Sequence, residues 1–403
     1  MSSAAEVSLE MAGATHKIAR HAEVLSGQLR TLSESLFPPA SQKGLRSFSS
    51  GEVARFIGAS DGYLRQLSLD GLGPTPTLGA GGRRSYTLGQ VNELRQYLAG
   101  ARPRERTQFV PGRKAGEKLQ TIAVANFKGG SAKTTTALYL VQYLALQGYR
   151  VLAVDLDPQA SLSAMFGYQP EFDIGENETL YGAIRYDDQR RAMADVVRET
   201  YFEGVCLVPG NLELMEFEHH TPRAMVERRA RGHELFFRRV AAAINEVEDR
   251  FDLVVIDCPP QLGYLTMGAL NAASALLVTV HPQMVDVASM SQFLLMTADL
   301  MAVIDEAGGG LNYDFLRYVV TRHDPHDVPE TQIVALLRNL FGDDVLRATA
   351  WKSTAIANAG LTKQSLYELD RGSVGRVAYD RALESVDAVN AEILRLVRGV
   401  WGR

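Results

Sequence analysis

Residues Lys128, Gly129, Gly130, Ser131, Ala132, Lys133, Thr134 and Thr135 follow directly on the apolar run Ile122-Ala123-Val124-Ala125. Small residues flanked by two amines and two threonine hydroxyls suit the holding of a phosphate chain. Backbone N–H groups of such a loop, and of a helix after it, can surround an anion. Lys133 then reaches the terminal phosphates, and the Thr134 hydroxyl is the Mg²⁺ ligand. Gly129 and Gly130 let the backbone approach its ligand with no Cβ in the way. Acids sit at the ends of two other apolar runs: Asp155 and Asp157 close Val151-Leu152-Ala153-Val154, and Asp257 closes Leu253-Val254-Val255-Ile256. In open α/β sheets ligands bind outside the carboxyl ends of the strands, so lysines and acids distant in sequence can meet there.

The elements that must position them are short apolar runs at 121–127, 151–155, 205–208, 253–257, 275–280 and 316–321, alternating with amphipathic helical segments. That alternation predicts an α/β fold, a mostly parallel sheet flanked by helices. A last helix from Ala382 to Trp401 carries Leu383, Val386, Val389, Ile393, Leu396, Val397 and Trp401, a set broad enough to cover a sheet. At 403 residues the chain holds two or three domains. Two cysteines, Cys206 and Cys258, are too few for a disulfide framework, so a reducing cytoplasm is expected. No basic-then-apolar leader is evident, and no apolar run is read as reaching the ~18 residues that span a bilayer. The pairs His219-His220 and His323 with His326 lack a third convergent ligand for a metal.

The net charge of −5 is unevenly spread: residues 1 to 118 carry 16 Lys and Arg against 10 Asp and Glu, and the remainder is acidic. The basic end is the part expected to touch nucleic acid. Ile18, Ala22, Leu25, Leu29, Leu32 and Leu36 form a seam on one side of an N-terminal helix ended by Pro38-Pro39. The seam pairs with a second copy or lies on a neighbouring domain. Ser49-Ser50-Gly51-Glu52 opens a helix with a capping box, Gly58-Ala59 turns, and Ser60 caps a second helix. Gly79 to Arg84 reads as a flexible basic wing, and Thr87 with Gln90 caps a further helix. The division expected is 1–40, an N-terminal helix; 41–107, a helical DNA-binding module; 108–120, a linker; and 121–403, the α/β domain.

The loop at 128–135, with Lys128 five positions before Lys133, resembles the deviant Walker A of the ParA/MinD family, although Phe127 and Ala132 stand where the general pattern has glycines. The resemblance implies that Lys128 crosses a dimer interface to the other subunit's nucleotide. Asp155-Leu156-Asp157-Pro158-Gln159 is similar to the family's Asp-x-Asp-Pro-Gln motif; by that likeness Asp157 positions or activates the attacking water and Asp155 lies near the metal. The run ending in Asp257 resembles Walker B, which implies that Asp257 holds Mg²⁺ through water, and Pro259-Pro260 with Gly263 suits a γ-phosphate switch. Val280-His281-Pro282-Gln283 with Asp286 and Val319 to Asp324 match more loosely and carry the base pocket among their loops. Residues 45 to 100 resemble the winged helix-turn-helix of MerR type, which makes Arg65, Arg83 and Arg84 candidate DNA contacts.

The whole chain resembles the larger ParA-type partition ATPases, the RepA proteins of plasmid repABC operons included. The resemblance implies an ATPase that turns ATP into ADP and phosphate with Mg²⁺. It further implies a homodimer on ATP, binding to operator and non-specific DNA, stimulation by a ParB-like centromere-binding protein, autorepression, and residence on the nucleoid of a bacterial cytoplasm. The rival readings are a nucleotide-regulated transcriptional repressor and a MinD-like membrane-cycling ATPase, the latter set against the breadth of the last helix.

Overall fold

In the computed structural model the described residues are 13–21, 23–25, 27–28, 43–126, 128–231 and 235–403. They fall into two compact units, residues 1–44 and 45–403. In the first unit residues 13–21, 23–25 and 27–28 are helical, with Ile18 and Leu25 exposed. Ala22, Leu29, Leu32 and Leu36 of the expected seam, and Pro38-Pro39, lie outside the described residues.

The second unit opens with β1 (Phe48–Ser49), α1 (Ser50–Ile57) and α2 (Asp61–Leu69), then β2 (Thr77–Leu78), β3 (Arg84–Tyr86) and α3 (Leu88–Ala101). Local chemistry sets these boundaries. Ser49 accepts from the Glu52 N–H while the Glu52 carboxylate accepts from the Ser49 N–H, the reciprocal cap expected. Gly58 ends α1 in the left-handed region at φ 73°. Ser60 caps α2 through the Tyr63 N–H, and Thr87 and Gln90 cap α3 reciprocally. The segment expected as a flexible wing is a hairpin in which β2 pairs antiparallel with β3, itself paired with β1.

The stretch 108–120 is more firmly held than a linker composition implies. It follows the short helix α4 (Arg106–Phe109), whose Phe109 is buried. Arg403 donates to the Pro111 and Gly112 carbonyls, and Trp401 Nε1 donates to the Lys118 carbonyl at 2.9 Å. Asp252, buried, accepts the Arg113 N–H at 2.9 Å and the Arg150 N–H at 2.8 Å. Of its basic side chains, Arg113 donates to the Glu248 carbonyl and Lys118 pairs with Asp314 at 3.3 Å, both in the α/β domain.

The main sheet comprises β4 (Gln120–Ala125), β5 (Val151–Asp155), β6 (Arg198–Glu199), β7 (Val205–Val208), β8 (Leu253–Asp257), β9 (Ala275–Val280) and β10 (Phe315–Val320). Their order is β10-β9-β4-β8-β5-β7-β6; all pairs are parallel except β6 with β7. This is the α/β sheet expected, and its central strands are continuous apolar runs because both faces are covered. On one face pack α5 (Lys133–Leu146) and the last helix, Arg376–Val400. Leu138, Val141 and Leu144 of α5 and Val389, Ile393 and Val397 of that helix share one core, which runs on without a break into Phe48 of β1 and Ile57, Leu64 and Leu98 of α1, α2 and α3. The other face carries α6 (Met215–Arg231), α7 (Tyr264–Ala272) and α8 (Met284–Glu306).

One expectation is corrected here. Among the described residues α8 is long and apolar enough to span a bilayer, with a mean hydropathy of 1.6 over an 18-residue window that is 22% buried. It connects β9 to β10, which pair in parallel over six residues, so it is the crossover that such pairing requires.

Candidate active site

The register of the sheet brings the three motifs together. Asp257 lies opposite Val124 on one side and Asp155 on the other, so both acids stand beside the loop that leaves β4. That loop turns through left-handed residues, Gly130 at φ 79° and Ala132 at φ 66°, and delivers α5 with no side-chain cap at its N-terminus. The first-turn N–H groups of α5 are thus the kind that bind an anion.

Several contacts hold the loop. Asn126 donates to the Thr279 carbonyl and accepts the Lys128 N–H at 3.0 Å. Thr279 Oγ1 donates to Ser131 Oγ at 3.0 Å, Thr321 Oγ1 to the Ser131 carbonyl at 3.0 Å, and Arg322 Nη1 to the Gly130 carbonyl at 3.2 Å. The ends of β9 and β10 therefore shape the cradle. None of Asn126, Thr279 and Arg322 was a sequence candidate for this. Asn126 carried a readable signal, since an Asn reaching the N–H two residues on is an Asx turn. Phe127 lies outside the described residues.

Lys133 is buried, and its ammonium donates to the Lys128 carbonyl at 3.2 Å. Burial lowers its pKa, and the nearby Asp257, Cys258 and Asp157 oppose that shift. Lys128 is partly exposed and forms an ion pair of 2.8 Å with Asp286. Asp286 in turn stands 3.7 Å from His281, whose other nitrogen is 3.7 Å from Glu330. Burial and Arg322 lower the His281 pKa against the pull of these two acids.

The acids divide into two kinds. Asp155 is fully buried; its Oδ2 accepts the Ser163 N–H at 2.8 Å and hydroxyl at 2.7 Å, and its Oδ1 accepts the Asp157 N–H at 3.2 Å. Its pKa is pushed up to about 6 by burial, against those hydrogen bonds. This geometry braces the turn that carries Asp157. Asp157 is partly exposed and accepts the Gln159 N–H at 2.9 Å. Asp257 is fully buried, and among the described residues neither carboxylate oxygen meets a donor in hydrogen-bond geometry. Burial and the Asp155 charge raise its pKa well above the usual range, opposed by the Thr134 hydroxyl and Lys133. A buried carboxylate beside a hydroxyl and an ammonium, with both oxygens unsatisfied, fits a hard cation such as Mg²⁺.

Beyond Asp257 the chain passes Pro259 and Pro260 to α7, whose first N–H groups are taken by Glu218 of α6: Tyr264 and Leu265 each donate to it at 2.9 Å. A Cβ at Gly263 would clash with that carboxylate. Nothing in the local sequence marks Glu218, because its partners are 46 and 47 residues away. His220 accepts from or donates to Tyr181 Oη at 2.7 Å, and among the described residues no cluster of three metal-binding side chains exists. Of the candidate DNA contacts, Arg65 and Arg83 are exposed, while Arg84 is half-buried and bonds Ser68 Oγ through Nε at 3.1 Å.

Fold and site define a phosphate-loop α/β protein of ParA-like fold. The family described as AAA domain matches residues 119–306. A protein described as replication protein A from Rhizobium rhizogenes is 51% identical over 391 residues, 97% of this chain and 96% of its own length. The chromosome-partitioning ATPase Soj of Thermus thermophilus is 30% identical over 278 residues, 67% of this chain and 96% of its own. A solved structure described as a partition protein has the same fold, with a TM-score of 0.64 over 96% of this chain and 99% of that one at 17% identity. The chain belongs to the ParA-type partition ATPases.

Proposed function

We propose that this protein hydrolyses ATP to ADP and phosphate as the timing step of DNA partition. The observation that carries the reading is Asp257, a buried acid with unsatisfied oxygens placed beside Thr134, Lys133 and the uncapped start of α5. In this reading the N–H groups of residues 129–135 and the Lys133 ammonium bind the β- and γ-phosphates. Thr134 and Asp257 hold Mg²⁺, which when bound neutralises charge on the phosphates. Asp155 keeps the loop carrying Asp157 in place through Ser163, and Asp157 orients the attacking water. Lys128 exchanges Asp286 for a nucleotide held by a second copy, so that hydrolysis awaits a homodimer.

Residues 41–107 are, in the same proposal, a winged helix-turn-helix that binds operator DNA through Arg65 and Arg83, with Arg84 fixing the hairpin on α2. The basic surplus of the N-terminal part supports that assignment. A ParB-like partner stimulates hydrolysis, the operator contact makes the protein its own repressor, and the cycle runs on the nucleoid in the cytoplasm. The test is Asp157→Ala. Nucleotide binding and operator binding are expected to persist, while hydrolysis falls by about 100-fold or more and plasmid maintenance is lost. Full plasmid stability in that variant would leave a nucleotide-regulated repressor as the better account.

A further inference from the structure

Arg95, on α3, is 3% exposed and donates three hydrogen bonds to carbonyls of three separate helices. Nη2 reaches the Phe56 and Leu146 oxygens, each at 2.7 Å, and Nη1 reaches the Phe109 oxygen at 3.2 Å. Phe56 lies in the last turn of α1, Phe109 ends α4, and Leu146 ends α5. Carbonyls at helix C-termini lack intrahelical partners and carry the negative end of the macrodipole, so one guanidinium satisfies three helix ends at once. Among the described residues no carboxylate pairs with it, and its Nε has no partner. Burial draws its pKa down to about 10, which leaves the group charged at neutral pH. The turn that follows α5 is shaped around it: Gly148, at φ +91°, faces the Arg95 side chain so closely that a Cβ would stand 3.1 Å from Cδ.

Two of the three helices lead to different sites. α5 starts in the phosphate loop at Lys133 and ends on Arg95, a rigid rod of 14 residues, roughly 20 Å long. α1 leads through the Gly58 turn into α2, which carries Arg65. A buried cation without an acid is a costly way to fill a core. What it supplies here is a fixed distance between the end of the phosphate-loop helix and the end of the first helix of the N-terminal module.

We infer that Arg95 is the positioning residue through which nucleotide bound at the phosphate loop sets the stance of α1 and α2, and so the grip of the N-terminal module on DNA. The inference rests on the proposed function and adds the physical link between its two activities. A small axial shift or tilt of α5 on nucleotide uptake moves the Leu146 carbonyl. The guanidinium, planar and held at three points, carries that movement to the Phe56 carbonyl.

The experiment compares full-length wild type with Arg95→Lys and Arg95→Met. Affinity for the DNA upstream of the protein's own gene is measured without nucleotide, with ADP and with ATP, alongside the kcat and KM for ATP and the thermal midpoint. Wild type is expected to change DNA affinity about tenfold between nucleotide states. In Arg95→Met that ratio is expected to collapse to about one, with the KM for ATP within about twofold of wild type. Arg95→Lys, a point charge that cannot span three carbonyls, is expected to fall between them. As a second readout, ATP changes amide exchange across residues 50–69 in wild type, and the change is expected to shrink in Arg95→Lys, a test that stands even if the Met variant fails to fold. A folded Arg95 variant that keeps the full ratio and the full exchange response overturns the coupling role. A wild type that binds neither nucleotide nor DNA overturns the proposed function itself, and the inference with it.

Discussion

Ala132 sits at φ 66°, a region where an L side chain meets its own carbonyl and glycine does not. The sequence shows only that Ala replaces the usual glycine; the structure shows that the backbone keeps the glycine conformation and bears the strain. Ala132→Gly is therefore expected to stabilise the protein by up to about 1 kcal/mol with nucleotide affinity preserved, as read by thermal unfolding and a binding titration. A lower midpoint would mean the loop had relaxed around the methyl group. At this scale Lys133, which opens α5, and Asp257, which closes β8, were legible in the sequence, as were Lys128, Thr134 and Asp157, which lie within three residues of an element's end. Thr279, Arg322 and Glu218 were not, since their partners lie far along the chain, and of Asn126 only the turn to Lys128 was legible, its bond to the Thr279 carbonyl being as distant as the rest.

At the scale of elements, apolar runs bounded by acids and glycines gave five of the strand cores to within a residue, and caps placed α1, α2 and α3. Two readings failed for physical reasons. Composition marks 108–120 as a tether, but composition does not say that Asp252, Trp401 and Arg403 satisfy its backbone. Charge content hid α8, whose acids Asp286, Asp299, Asp305 and Glu306 stand at or towards its two ends and leave a long apolar stretch between Asp286 and Asp299. The placement of α7 depends on Glu218. Glu218→Ala removes two charge-assisted bonds to the start of α7 and is expected to cost about 1–3 kcal/mol. It is also expected to lower kcat for ATP while leaving KM nearly unchanged, because the segment from Asp257 to Gly263 loses its far anchor. Gly263→Ala, which displaces the same carboxylate, is expected to act in the same direction, and the double variant to add little. Strict additivity in steady-state kinetics would show that the two act independently.

For the molecule as a whole, two carboxyls in one buried site make stability depend on pH and metal together. The folded pKa values of Asp155 and Asp257 lie above the ordinary 3.8, raised by burial and, for Asp257, by Asp155. A raised acid binds more protons folded than unfolded, so its contribution is present in acid and declines as pH rises from about 3.8 through the folded value, which for Asp155 is about 6. Mg²⁺ set against Asp257 offsets that loss. The rise in thermal midpoint on adding Mg²⁺ is thus expected to be larger at about pH 7 than at about pH 5. An equal rise at both would place the cation elsewhere.

The clasped stretch between the N-terminal helices and the sheet also bears on how the chain behaves under proteases. Trypsin finds exposed basic residues at Arg104, Arg106, Lys114 and Lys118, and a nick there severs a covalent bond without parting the pieces. The fragments remain wedded through a shared apolar interior and the Arg95 fastening, and would migrate together until denatured.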